Sequence, residues 1–218
     1  MKKLLSLILA CAFILILPLS LASCGEEMGT GACEYATTRD IKDREIHFVE
    51  ICVKDYGKMV VLLDATTAPI TVANFLKLVE EKFYNKLTFH RVIQNFMIQG
   101  GDPKANGTGG SDEEIFGEFR HNGYKNDISH KRGVISMARA DDMNSASSQF
   151  FICNADGQYS LDGYYAAFGY VVEGMSVVDA ITNATAGLAN SKTGTIANKD
   201  DQAVISYIKV LKHYTLGE

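Results

Sequence analysis

Metal-ligand spacing is missing from this sequence. None of its five cysteines forms a C-x-x-C pair or stands at a ligand interval from a histidine, so the usual zinc frameworks are excluded and no metal is expected. Positive charge is short as well. Lysine and arginine number 21 against 26 acidic residues, a net charge of −5, and no basic patch stands out. Nucleic acid is therefore not an expected partner, and the acidic balance favours solubility. The glycine run in Lys104–Gly110 leads into no G-K-[ST] and no helix, which argues against a phosphate cradle. Its glycines would instead let a peptide approach the backbone closely. Ser147 and Ser148 lack the positioned base that a nucleophile needs. No cofactor is implied, tryptophan is absent, and there is no repeat or low-complexity tract. What remains is 47% hydrophobic and 22% charged, an ordinary globular balance that suits one domain with extras.

The amino terminus stands apart from that domain. Met1-Lys2-Lys3 is a basic head, Leu4 to Leu19 is almost continuously apolar, and Leu21-Ala22-Ser23-Cys24 follows. This order describes a secretory signal peptide over residues 1–23. The L-A-S-C ending resembles the lipobox of bacterial lipoproteins, which implies that Cys24 is lipidated and becomes the first mature residue. Leu4 to Ala22 is nearly long enough to span a membrane uncleaved; a cysteine after small residues favours cleavage. Either way the rest lies outside the cytoplasmic membrane, and an extracytoplasmic lipoprotein anchored to the bacterial cell membrane is expected. Removing Lys2 and Lys3 leaves 19 basic against 26 acidic residues, a net charge of −7. Residues 24–44 are small, polar and charged without periodicity and read as a flexible tether. The domain then runs over 45–216. Of the cysteines left, Cys33 lies in the tether, while Cys52 and Cys153 read as buried small hydrophobes.

Along the domain, Ile46 to Val53 and Met59 to Leu63 are β-rich and flank a glycine-bearing turn, which predicts a hairpin. Pro69 suits a helix start. Val72, Phe75, Leu76, Val79 and Phe83 fall at steps of three and four, predicting a helix to about Phe83. Strands are expected over Gly133–Arg139, Gln149–Cys153, Ala166–Val172 and Val204–Leu211, with a short helix from Gly174 to about Thr182. Asp141–Ser148 and Ala184–Asp201 read as loops. Many short strands with two helices predict a mainly β sandwich or barrel, and spacing does not choose between them.

The stretch Phe89–Asp102 (F-H-R-V-I-Q-N-F-M-I-Q-G-G-D) is the focus. Arg91 and Gln99 interrupt an otherwise apolar run, and both need partners or a purpose if buried. One reading is a core strand with two polar residues facing water. The other is an apolar groove with a cationic and an amide donor at its rim.

Together with N-G-T-G-G, G-V-I-S-M-A-R-A, S-S-Q-F-F-I and L-D-G-Y-Y-A-A-F-G, this stretch resembles the cyclophilins, which are peptidyl-prolyl cis/trans isomerases. The likeness runs in order and spacing from about Ile46 to His213. It implies a closed eight-stranded antiparallel β-barrel capped by two α-helices, acting on proline-containing polypeptides. It assigns Arg91 as the donor to the proline nitrogen and Gln99 as the partner of Arg91 and of substrate backbone. Phe96, Met97, Phe151 and Leu161 match the proline pocket. Ala138, Arg139 and Ala140 match the strand edge along the peptide, and Gln149 and Gly107 match further groove positions. His90 and His130 read as structural, because isomerisation transfers no proton.

The chain departs from the family in places. Ser160, after Tyr159, stands before Leu161 where many members carry tryptophan, which implies weak cyclosporin binding. Tyr165 replaces a histidine and keeps an aromatic wall with a hydroxyl. The Asp141–Ser148 loop is about one residue longer than in eukaryotic relatives. The expected protein is thus a monomeric, lipid-anchored isomerase that aids the folding of exported or surface proteins. The alternatives are a proline-peptide binding module or chaperone with incidental turnover, and an adhesion lipoprotein reusing the fold.

Overall fold

The computed structural model describes residues 43–214 and 216. The expected signal peptide, Cys24, Cys33 and most of the tether lie outside the described residues. In chain order the elements are β1 (Ile46–Val53), β2 (Gly57–Asp64), α1 (Pro69–Glu80), β3 (Thr88–Ile93), β4 (Met97–Gly100), β5 (Val134–Met137), β6 (Phe150–Cys153), β7 (Ala167–Glu173), α2 (Met175–Thr185) and β8 (Ala203–Val210). The strands close into an antiparallel barrel in the order β1-β2-β7-β5-β6-β4-β3-β8. Pairing of β1 with β8, from Val49 opposite Val210 to Val53 opposite Ile205, closes it. That contact decides between barrel and sandwich, and it joins strands too distant in sequence for spacing to reveal.

Alternation sorts each strand between the barrel interior and its outside. Val49, Ile51, Met59, Val61, Leu63, Phe89, Ile98, Phe150, Ile152 and Phe168 fill the interior. Both helices bury their apolar stripes in the same core, α1 through Val72, Phe75 and Val79 and α2 through Val177, Val178 and Ile181. Cys153 is fully buried, as expected. Cys52 is only half-buried, because it lies between inward Ile51 and Val53 and so faces out.

α1 ends at Glu80, short of the expected Phe83. Lys82 takes a left-handed φ of 58°. The N–H groups of Lys82 and Phe83 then donate back to the Val79 and Leu78 carbonyls at 3.0 and 2.9 Å. This turn caps the helix and lays Phe83 on the core without further helix, which is why its spacing looked helical. At the other end Ala68 offers no side-chain cap. The buried Glu118 carboxylate does so instead, accepting from the Ile70 and Thr71 N–H groups at 3.0 and 2.8 Å.

Phe89–Asp102 is a hairpin rather than one run. Asn95, at φ 60°, makes the turn between β3 and β4. The register shifts between Phe89 and Arg91. Phe89 and Val92, three positions apart, therefore both point inward, and Arg91 turns to the outer face. Without that shift Arg91 would share the interior side with Phe89.

Glu118→Ala should strand two helix N–H groups in a dry site. A loss of about 2 kcal/mol is expected, lowering the thermal midpoint by roughly 4–8 °C. Glu118→Gln, which keeps an acceptor, should lose less. Thermal denaturation followed by circular dichroism checks this, and equal losses in both variants would contradict the cap.

Candidate active site

The outward residues of β3, β4 and β6 form one surface. Met97 and Phe151 are buried there with Cys153, and Ile93, Phe96, Ala138, Leu161 and Tyr165 pack around them. Phe96 sits on the turn between β3 and β4, held where the Asn154 N–H donates to its carbonyl at 3.1 Å. Tyr165 meets the Phe151 ring edge-on, 5.9 Å between centroids. Phe96, Met97, Ala138, Phe151, Leu161 and Tyr165 wall an apolar pocket of about 290 Å³ whose mouth is lined by Arg91, Gln99 and Arg139. Ala138 and Arg139 also line a neighbouring pocket of about 390 Å³, with Gly107, Ala140, Gln149, Thr108, Ser145 and Ser147. Every residue assigned to the groove by resemblance lies on one of these two adjoining hollows.

A chain of hydrogen bonds crosses both. Arg91 stands opposite Gln99 across the hairpin. Its Nη1 donates to Gln99 Oε1 at 2.8 Å, and its Nε donates to the Thr193 carbonyl at 2.7 Å. Gln99 Nε2 donates to Gln149 Oε1 at 2.8 Å. Gln149 Nε2 donates to the carbonyls of Gly109 and Gly107 at 2.7 and 3.2 Å. Burial pulls the Arg91 guanidinium below the usual arginine range, yet arginine stays a cation at neutral pH.

The glycine loop at the end of this chain is tied to Asp102. This buried carboxylate accepts from the N–H groups of Lys104, Asn106 and Gly107 at 2.7, 3.0 and 2.6 Å. Burial alone would raise its pKa, but the amide donors outweigh it and hold the carboxyl below the ordinary range. Arg139 contributes its side chain as well as its place on the strand edge. Its guanidinium lies over the Tyr165 ring at 5.0 Å and the Phe119 ring at 5.3 Å, and its Nε donates to the Tyr164 carbonyl at 2.9 Å. It thus forms the partition between the hollows.

His90 and His130 both lie behind the surface. His130 is fully buried, stacks on Phe151 at 5.9 Å, and joins Asp162 through Nδ1 at 2.8 Å and Ser136 through Nε2 at 3.0 Å. Burial lowers its pKa against the pull of Asp162. His90 is buried beneath the glycine loop, its Nε2 3.8 Å from where a side chain at Gly107 would begin. Burial lowers its pKa too, against the pull of Asp102. Burial also pushes the Cys153 thiol up to about 12, which makes it inert. Sequence reasoning missed Asp102, the His130–Asp162 pair and the Thr193 carbonyl. Only Asp102 left a trace, as a carboxylate opening a glycine-rich turn.

Residues 48–204 match the family model described as cyclophilin type peptidyl-prolyl cis-trans isomerase/CLD. A Helicobacter pylori protein named peptidyl-prolyl cis-trans isomerase is 42% identical over 148 residues, covering 66% of this chain and 87% of that protein. A Synechococcus elongatus protein of the same name is 47% identical over 118 residues, 53% of this chain and 76% of that one. A crystal structure of a Cryptosporidium parvum cyclophilin type peptidyl-prolyl cis-trans isomerase superposes with a TM-score of 0.66 at 27% identity, covering 78% of this chain and all of that one. A second, determined in the presence of the dipeptide Ala-Pro, gives 0.65 at 28% identity, covering 76% and 99%.

The buried histidines imply a pH dependence. Their folded pKa values lie below the unfolded value of about 6.5. As pH falls through that value the unfolded chain takes up protons that the folded chain refuses, so stability is full above about pH 6.5 and declines below it. The depressed Asp102 and Asp162 act only lower, their contribution being lost as pH falls below about 3.9. The thermal midpoint should therefore drop between about pH 7.5 and about pH 5, with a shallower slope in His90→Gln. An unchanged slope would show that His90 is not a source of the effect.

Proposed function

This chain belongs to the cyclophilin family of peptidyl-prolyl cis-trans isomerases, and from that premise we propose an exported, membrane-anchored isomerase in which Arg91 is the catalytic donor. The enzyme accelerates rotation about X–Pro bonds. Such a bond has both isomers accessible, separated by about 18–20 kcal/mol, and exchanges unaided in roughly 10–100 s. No covalent step is needed. The twisted bond must be held better than either planar form.

Twisting ends the amide resonance and leaves a lone pair on the proline nitrogen. A cationic donor aimed at that nitrogen stabilises the twisted form and does little for the planar one. One observation carries the assignment: Arg91 lies at the mouth of the apolar pocket with its Nε and Nη1 already engaged, while its Nη2 has no partner among the described residues. In this reading Phe96, Met97, Phe151, Leu161 and Tyr165 grip the proline ring, and Gln99 orients Arg91 and meets the substrate backbone. Ala138, Arg139, Ala140, Gln149 and Gly107 bound the path of the flanking peptide. A five-decade acceleration asks for about 7 kcal/mol. A charge-assisted hydrogen bond supplies about 1.5–3 kcal/mol, so the grip on the ring must supply much of the rest.

The anchoring half of the proposal is supported by sequence. Residues 1–23 act as a lipoprotein signal, Cys24 carries lipid, and 24–44 tether the 45–216 domain outside the cytoplasmic membrane. The clients are then exported or surface polypeptides.

Exchange spectroscopy on an Ala-Pro peptide should show clear acceleration by the protein. Arg91→Ala should lose at least about a hundredfold of it, and cyclosporin should inhibit it only weakly. An Arg91→Ala rate equal to wild type would remove the donor role, and a wild type no faster than buffer would leave a binding module. Mass spectrometry of protein from a lipoprotein-processing host should find a lipid-modified Cys24 at the amino terminus; an intact Met1 would end the anchoring proposal.

A further inference from the structure

The strand that carries Arg91 lacks a partner strand along part of one edge. β8 pairs with β3 only at Thr88 and Phe89. Beyond that point the segment Ala189–Ile196 takes its place. This segment turns back on itself: Ala189 bridges Ile196, the Asn190 N–H donates to the Thr195 carbonyl at 2.9 Å, and the Gly194 N–H donates to the Asn190 carbonyl at 2.8 Å. Its second arm then pairs with β3. The Val92 N–H donates to the Gly194 carbonyl and the Ile196 N–H to the His90 carbonyl, both at 2.9 Å. The tip of this small hairpin brings the Thr193 carbonyl to Arg91 Nε at 2.7 Å.

Two residues determine where that carbonyl sits. Asn190 is exposed, yet its Oδ1 accepts the N–H groups of Lys192 and Thr193 at 2.9 and 3.1 Å, which orients the tip. Gly194 has a φ of 74°, and a Cβ there would stand 2.3 Å from Ile93 Cγ1 and 2.9 Å from the Val92 carbonyl oxygen. A side chain at 194 would push the hairpin off β3.

We propose that the hairpin Ala189–Ile196 is a positioning element for the isomerase reaction, with Asn190 and Gly194 holding the Thr193 carbonyl against Arg91. A guanidinium held at Nη1 alone still swings about that bond. A second hold at Nε defines its plane before substrate arrives, so the donor need not be ordered while the X–Pro bond twists. The inference rests on Arg91 being the donor, and its test separates the two ideas.

In Asn190→Ala and Gly194→Ala, kcat for an Ala-Pro peptide should fall about 10- to 100-fold while KM stays near wild type, because the pocket walls are untouched. The Arg91 Nε–H resonance, assigned by its loss in Arg91→Lys, should be slow to exchange in wild type and fast in Asn190→Ala. Lysine has no Nε–H, so Asn190→Ala should cost nothing further in the Arg91→Lys background. Wild-type kcat with an unchanged Nε–H signal overturns the proposal, as does a loss that adds fully to Arg91→Lys. Should Gly194→Ala fail to fold, Asn190→Ala decides alone. Failure of the underlying donor assignment looks different: Arg91→Ala itself would then keep the wild-type rate.

Discussion

A guanidinium can only donate hydrogen bonds, and that constraint propagates through the whole groove. Because Arg91 donates to Gln99, the amide of Gln99 must present its oxygen on that side and its nitrogen on the other. Gln149 must then present oxygen to Gln99, leaving its own nitrogen for the Gly107 and Gly109 carbonyls. Both ends of the chain are backbone acceptors, Thr193 at one and the glycine loop at the other. Neither amide can flip without stranding a donor or facing two acceptors together. A single unambiguous polarity therefore runs beneath both hollows, and Asp102 keeps the far end in place by capturing the loop's amides.

That polarity exists only because Arg91 faces Gln99 on the outside of the barrel. Arg91 and Gln99 are conspicuous as polar interruptions in an apolar run, and the helix stripe through Val72, Phe75 and Val79 follows from spacing alone. Their facing each other does not follow. It depends on the register shift after Phe89 and on the left-handed Asn95 at the turn, and neither leaves a pattern in hydropathy. The barrel's closure through β1 and β8 is likewise a long-range pairing that local propensity does not encode.

Other contributions were illegible because the chemistry belongs to backbone or to unexpected burial. The Thr193 carbonyl could come from any residue type. Glu118 serves a helix that begins 49 positions earlier, at Pro69, a pairing no local pattern marks. Arg139 is expected only as part of the strand edge along the peptide, whereas its side chain lies against two aromatic rings and donates to carbonyls, turning a charge into a wall. His130 bears on the groove only by stacking under Phe151 and binding Asp162, next to Leu161. Each is a long-range contact that supports a short-range choice.

The circular order of strands has a consequence for access. In the sequence β1-β2-β7-β5-β6-β4-β3-β8, β6 is four places from β1 in either direction. Phe151 therefore lies half a circuit around the barrel from the strand that receives the chain's leading segment. β8, the last strand, sits beside β1, so both ends of the domain leave from the same flank. A fusion attached ahead of Ile46 therefore joins the barrel at the flank facing away from Phe151, and a bulky polypeptide can lie across the pocket side without crossing that attachment point.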